Sequence, residues 1–399
     1  MLKFTEIKIN KKITVFSVIM ITALICAAVV CLNLNAIRLA FKGYDAAERG
    51  ILLQYCSDEI DEYLSYDKII DISQWDQFDN KHHYLDYELL KNKYEDREDV
   101  IAFTDHVYDS YYQTLTDSGY SLSSIRKIMQ TASLDDFSVL ENNHYTWEDI
   151  APYMKVNGAV IQDIPAYIES KLDPEDAVMQ ISYKSIDSSK AGTSDRKYAI
   201  LEPDALDVLV KNGFYLPASY EPDDLCKISI PVSSEDETYL LRKEAADALQ
   251  QMYEDAKKEG LEIAVVSAYR SYEDQKEIYD YYFSKYDELT ASRLVSIPGC
   301  SEHQLGLSVD LTSKDIIGDE DSFFVDTPEY QWVIKHAHEY GFILRYPDDK
   351  TSITGTTNEP WHFRYVGTEL AEVLYKENLT LEEYTLENGF SYPLSVISS

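Results

Sequence analysis

Residues Ser301 to Asp310 read SEHQLGLSVD, and the second half of this stretch decides what kind of fold carries it. Leu307, Val309 and Leu311 alternate with Ser308 and Asp310, the two-residue period of a strand with one buried face. The three apolar side chains face a core and Asp310 faces the other way. His303 lies on the approach, and Gly306 between them permits a bend. A loop histidine and a strand aspartate are thus able to converge on one point. A second segment, EPWHFRYVG (Glu359 to Gly367), behaves in the same way. Trp361, Phe363 and Tyr365 share one face, His362 and Arg364 the other, and Pro360 holds Glu359 extended.

Helical patterns surround these strands. Leu241, Ala245, Leu249, Met252 and Ala256 form one apolar stripe, with Gly260 as the stop. Ile263 to Ser267 is a short β-rich run. Ser271 opens a further helix, with Asp274 as its capping-box partner. Thr327-Pro328 starts another, on which Trp332, His336 and Tyr340 line one face before Gly341. Helices flanking short strands predict an α+β domain built on a small antiparallel sheet.

The two segments bring together two imidazoles, His303 and His362, and two carboxylates, Asp310 and Glu359. Three such side chains suit a tetrahedral zinc ion with one open position, and the fourth suits the base that deprotonates a water. Glu359 sits beside the metal without being forced to ligate it. The chain has eight histidines. His82, His83, His106 and His144 lack nearby matching ligands, and His336 and His338, two apart on a helix, face apart. These six read as surface or satisfied core residues. Spacing alone leaves a zinc site and two ordinary histidines evenly balanced. No HExxH occurs, so the helical zinc-protease motif is absent.

The rest of the chain sets the surroundings. Its 399 residues and 45% hydrophobic content allow two or three cored units. A formal charge of −35 argues against nucleic acid or an anionic membrane surface as a partner. Ile13 to Leu34 carries no charge. As a helix it rises about 33 Å, against a hydrocarbon core of roughly 30 Å. Lys3, Lys8, Lys11 and Lys12 precede it, opposed by Glu6, which places the N-terminus in the cytoplasm and the remainder outside. A cleaved signal peptide is the competing reading. The run is long for one, and it lacks a small-x-small cleavage site before Asn35. Neither Cys26 nor Cys31 follows a lipobox. Cys56, Cys226 and Cys300 define no disulfide framework. Cys226 with Cys300 is a conceivable pair, but isolated thiols are the expectation.

Between the apolar run and the strands the pattern is helical. Ile51, Cys56, Ile60 and Leu64 keep one apolar face. Tyr120-Ser121, Ile125 and Met129 are echoed 25 residues later by Tyr145-Thr146, Ile150 and Met154, with Ser121 and Thr146 as N-caps. Two copies are too few for a solenoid and read as short helical hairpins. The many tyrosines read as aromatic core, with a glycan or a partner protein as the alternative contact. SIDSSKAGTSDRK (Ser185 to Lys197) reads as a linker. The expected order is a cytoplasmic tail (1–12), a transmembrane helix (13–34), an extracytoplasmic helical region (35–182), a linker (183–197) and a catalytic domain (198–399).

SEHQLGLSVDL, EPWHFRYVG, SAYRSYEDQ and EYGFILRYP, four segments in order, resemble the VanY-type D-alanyl-D-alanine carboxypeptidases, zinc peptidases of the M15 class. The resemblance covers roughly residues 198–376. It implies an M15-like fold and one Zn2+ held by His303, Asp310 and His362. It also implies Glu359 as the catalytic glutamate, Arg270 as the substrate-binding arginine and Gln275 as a nearby substrate contact. Ile297, where the family often has Arg, and Ser308, where it often has Ala, depart from the pattern without touching a ligand or the base. The implied reaction is removal of the terminal D-alanine from a peptidoglycan stem peptide. Glu359 takes a proton from the zinc-activated water and passes it to the leaving amine. Arg270 either helps to stabilise the oxyanion or pairs with the substrate's terminal carboxylate. Two alternatives remain: an L,D-carboxypeptidase acting on tetrapeptide stems, and a zinc-containing wall-binding module without turnover.

Overall fold

The computed structural model describes residues 34–94, 96–184, 186 and 196–397. The expected transmembrane helix and most of the expected linker lie outside the described residues. Among the described residues no helix is long and apolar enough to cross a membrane.

The chain divides into two compact units, one ending at Gln130 and one from Thr131 onward. The first is helical, as its periodicity predicts. Among the described residues its longest helix is Arg97–Ser110, and the helix Ala46–Tyr55 starts on a capping box of Asp45 and Glu48. The tyrosines supply its core. Tyr63, Tyr84 and Tyr87 are fully buried with Trp75 and Val100. Burying a phenol requires a partner for its hydroxyl. Tyr84 donates to Asp76 at 2.5 Å, Tyr87 to Asp105 at 2.5 Å and Tyr108 to Asp86 at 2.9 Å.

The expected helical region to residue 182 is divided by this boundary. From Thr131 its helices belong with the strands that follow, and aromatic packing is the reason. The Tyr183 ring lies 4.8 Å from that of Tyr198 and 4.7 Å from that of Phe390, and Tyr198 donates to the Ser182 carbonyl. Both halves of the sequence echo are N-capped. The Ser121 hydroxyl accepts from Ser124 N, and Thr146 forms a capping box with Asp149.

Among the described residues nine strands make three sheets. β1 (Lys197–Ile200) lies between β2 (Phe214–Tyr215), parallel to it, and β9 (Leu394–Ile397), antiparallel to it. β3 (Leu225–Lys227) pairs with β4 (Leu240–Arg242). The sheet that carries the site is fully antiparallel, in the order β5 (Ile263–Ser267), β6 (Ser308–Ser313), β8 (His362–Tyr365), β7 (Phe342–Leu344). The helix Lys243–Lys258 buries Ala245, Leu249, Met252 and Ala256, the predicted stripe. Each large side chain removed from water there contributes about 1.5–3 kcal/mol. Leu241 is buried too, but in β4 ahead of the helix. The Ser271 capping box and the Thr327 cap with Pro328 form as predicted.

The alternation in β6 holds from Val309 to Thr312, where Val309 and Leu311 are buried and Asp310 and Thr312 less so, while Ser308, on the face of Asp310, is fully buried. In β8 it holds only in part. Phe363 and Tyr365 join the core, but His362 and Arg364 are equally buried, and Trp361 stands before the strand with 44% of its surface exposed. The second face of β8 is covered because buried charged partners wait there for both polar side chains. Cys56, Cys226 and Cys300 are free thiols, as expected.

Candidate active site

Asp310 is the centre of the site because the sheet puts it between two neighbours. In the ladder it stands opposite Ser267 of β5 and opposite His362 of β8. His362 Nδ1 lies 3.0 Å from Asp310 Oδ1. His303 comes from the 3-10 turn Glu302–Leu305 that leads into β6, and its Nε2 lies 3.5 Å from Asp310 Oδ2. Gly306 ends that turn with φ +65°, and a Cβ there would come within 2.8 Å of Leu225. The bend foreseen between His303 and Asp310 therefore needs glycine both for its left-handed backbone and for space. The two imidazoles meet edge to face with centroids 5.0 Å apart.

His303 has one nitrogen engaged behind it, whereas His362 Nε2 has a carboxylate near it but no hydrogen bond. His303 Nδ1 donates to the Ala268 carbonyl at 2.6 Å, which leaves Nε2 facing Asp310. His362 Nε2 lies 3.5 Å from Glu302 Oε2, longer than a formed hydrogen bond, and Nδ1 faces Asp310. The donor atoms of His303, Asp310 and His362 all lie within 4.8 Å of one another. Ligands held tetrahedrally around zinc stand about 3.4 Å apart, given metal–ligand bonds of about 2.0–2.2 Å. The two spacings to Asp310, 3.0 and 3.5 Å, are close to that value. Two imidazoles and one carboxylate converging in this way could hold a metal ion, and they are donor types that suit zinc.

The electrostatics agree with a cation at this point. Burial pushes the Asp310 carboxyl up, but His303 and His362 overcome it and hold it well below the usual carboxylate range. Burial lowers the His303 imidazole. Burial also opposes a charged His362, yet Asp310 and Glu302 outweigh it and carry that imidazole up to about 9. A metal ion replaces such a proton.

Glu359 stands beside this group and outside it. Its backbone is pinned at both ends, donating to the Tyr346 carbonyl and accepting from His362 N. Its Oε2 lies 3.9 Å from His362 Nδ1, and its side chain is 29% exposed. Burial raises its carboxyl above the ordinary value, His362 lowers it, and Asp310 and Glu302 raise it further. Arg270 follows β5 and donates its backbone N–H to the His303 carbonyl. Its guanidinium is close enough to Asp310 and Glu359 to feel both charges. Nη1 donates to Gln275 Oε1 at 2.8 Å, and Gln275 Nε2 donates to the Ser296 carbonyl at 2.8 Å. Gln275 is buried with both ends of its amide occupied, so here it holds Arg270 in place.

Three residues of the site went unnoticed in the sequence. Glu302, Arg345 and Glu382 form a buried ion-pair chain behind His362. Glu302 is adjacent to His303 in SEHQ, but its pairing spans long sequence distances that no local pattern reports. Trp361, expected in the core, instead lines a groove of about 440 Å³ together with Asp310, Thr312, Val266, Ile317 and Phe323. A bulge between Val265 and Ser267 turns Val266 outward into it.

Residues 238–368 match the family model described as VanY, D-alanyl-D-alanine carboxypeptidase. The Bacillus subtilis protein YodJ is 38% identical over 247 residues, covering 57% of this chain and 88% of that one. The bifunctional D-Ala-D-Ala dipeptidase and D-Ala-D-Ala carboxypeptidase VanXYC of Enterococcus gallinarum is 35% identical over 180 residues, 44% of this chain and 91% of that one. Among solved structures, the LdcB LD-carboxypeptidase shares 46% identity over 47% of this chain and 88% of that chain, with a TM-score of 0.45. By the family model and these sequence relatives, the chain belongs to the VanY family of D-alanyl-D-alanine carboxypeptidases.

Proposed function

We propose that this chain is a zinc D,D-carboxypeptidase, anchored in the membrane by residues 13–34, that removes the terminal D-alanine from peptidoglycan stem peptides. The observation that carries the reading is Glu359, a carboxylate held beside three converging ligands without joining them. A purely structural metal site has no use for such a group. His303 Nε2, Asp310 and His362 Nδ1 would hold the zinc. Bound there, zinc supplies Lewis acidity, lowering the pKa of the attacking water and polarising the scissile carbonyl. Glu359 accepts the proton of that water and returns it to the nitrogen of the leaving D-alanine, a role worth roughly 10²- to 10⁴-fold. Its raised proton affinity fits both halves of the task.

Arg270 sets the polarity of the substrate. A guanidinium forks onto a carboxylate in two-point contact, and Gln275 fixes the fork. β5 runs antiparallel to β6, so Arg270 lies past the Ser308 side of Asp310 and the groove past the Thr312 side. With the terminal carboxylate on Arg270, the acyl part of the stem enters the groove. That groove favours a second reading as well. It adjoins Asp310 and has room for far more than a methyl group, which suits an L,D-carboxypeptidase whose substrate carries a long side chain next to the cleaved bond.

Mass analysis after incubation with a pentapeptide and, separately, a tetrapeptide stem distinguishes these. Loss of one alanine from the pentapeptide supports the D,D reading, and loss from the tetrapeptide alone transfers it to L,D. No loss from either ends the carboxypeptidase proposal. The uncharged run Ile13–Leu34 behind four lysines supports a single-pass anchor with a cytoplasmic N-terminus and an extracytoplasmic catalytic unit. Cell fractionation tests it: release of the chain into the soluble fraction contradicts the anchor.

A further inference from the structure

Glu302 precedes one metal ligand in sequence and reaches the other in space. Its Oε2 lies 3.5 Å from His362 Nε2, while its Oε1 is 2.8 Å from Arg345 Nε and 3.0 Å from Arg364 Nη1. Arg345 turns the rest of its fork onto Glu382, with Nη1 and Nη2 donating to the two carboxylate oxygens at 2.9 and 2.8 Å. Lys211 Nζ lies 3.2 Å from Glu382 Oε1. Glu302, Arg345, Arg364 and Glu382 are all buried. Glu382 belongs to the helix Leu381–Asn388, beyond the 238–368 segment that matches the family model.

We propose that Glu302, Arg345 and Glu382 are positioning residues for the metal site, with Glu302 orienting His362, Arg345 holding Glu302, and Glu382 holding Arg345. A neutral imidazole has one N–H. If Glu302 takes the hydrogen bond from Nε2–H, Nδ1 keeps the lone pair that a metal needs, and the ring cannot turn a carbon toward Asp310. The Arg345 fork is two-pronged on Glu382 and single on Glu302, so Glu382 fixes the plane in which Arg345 meets Glu302. The helix Leu381–Asn388 thereby helps to position the site, with Glu382 acting on His362 through Arg345 and Glu302. The inference rests on the reading of His303, Asp310 and His362 as metal ligands.

The test uses the full chain and two readouts: zinc affinity, by competition with a chromogenic chelator, and kcat and KM for alanine release. In Glu302→Gln the two guanidiniums capture the amide oxygen and leave its NH2 facing His362 Nε2–H, donor against donor. Zinc affinity is expected to fall about 10- to 100-fold, as when other partners behind metal-bound histidines are changed. Arg345→Met with Glu382→Met removes both members of that pair and leaves Glu302 beside Arg364, and Lys211 on the Ile186 and Thr354 carbonyls. Zinc affinity then falls about 10-fold, the low end of that range, and kcat falls while KM stays level, because Arg270 is untouched. Wild-type zinc affinity and kcat in a folded double variant would overturn the role of Glu382, and the same result in Glu302→Gln would overturn the proposal entirely. Should the double variant fail to fold, Glu302→Gln, which keeps its shape, decides alone. A wild-type chain that binds no zinc contradicts the metal-site reading itself, and the positioning proposal with it.

Discussion

Each unit buries a cluster of carboxylates around arginine, and the two clusters end differently. In the N-terminal unit Arg126 meets Asp86 through Nε at 2.6 Å, Glu59 through Nη2 at 3.3 Å, and Glu62 through Nη1. Asp86 also accepts from Tyr108. The cluster closes on itself. The histidines nearby find ring partners instead: His83 stacks on Tyr108 at 3.7 Å and His82 on Tyr55 at 3.7 Å. In the C-terminal unit Arg345 and Arg364 occupy one oxygen of Glu302 and leave the other for His362. Among the described residues, His303, Asp310 and His362 are the set whose donor atoms converge. Buried carboxylates held by arginine are thus common to both units, while His82 and His83 are only half-buried and His303 and His362 are buried. What separates a scaffold from a site is whether the charged chain ends on another charge or on an imidazole with a free nitrogen.

That contrast can be broken at several points. Asp310→Ala is expected to have the largest effect, since it removes the ligand between both imidazoles; bound zinc measured after dialysis should be absent, and turnover with it. Arg126→Met leaves three carboxylates uncompensated and should destabilise the N-terminal unit by about 3 kcal/mol in urea unfolding, the lower end for a broken buried pair because Glu62 is partly exposed. Alanine release should be unchanged by it. Arg270→Lys keeps the charge and loses the fork, and should weaken KM by about 10- to 100-fold with zinc content intact. The smallest effect concerns His83. Burial lowers its imidazole from 6.5 to about 4. The unfolded chain therefore binds a proton that the folded one refuses, so stability present above pH 6.5 is lost as pH falls toward 4. His83→Phe should flatten this limb in pH-dependent unfolding of the chain, while an unchanged slope would show that His83 does not carry it.

The site was more legible in the sequence than the fold around it. Strand alternation was enough to aim Asp310 away from Val309 and Leu311, although Ser308 on the same face is covered. The same rule misplaced Trp361 and left the burial of His362 and Arg364 unforeseen. Alternation says which residues share a face, not whether that face is covered. Capping at Ser271 and Thr327 was legible because a cap is a local event spanning three residues. The division after Gln130 was not, since aromatic packing between Tyr183, Tyr198 and Phe390 joins residues far apart in the chain. Glu302, Arg345 and Glu382 escaped for the same reason: each alone looks like any charged residue, and only the fold makes them a chain. Gln275, expected as a substrate contact near Arg270, accepts from that guanidinium and donates to the Ser296 carbonyl, partners its sequence position does not report.

The central claim is that three side chains hold the metal and a fourth, Glu359, moves the proton. Glu359→Ala separates these roles in one preparation, with zinc content measured by metal analysis and alanine release by mass. The account predicts full zinc occupancy with turnover reduced roughly 10²- to 10⁴-fold. Loss of zinc together with turnover would make Glu359 a ligand, and wild-type turnover without its carboxylate would remove it from the reaction; either result contradicts the account.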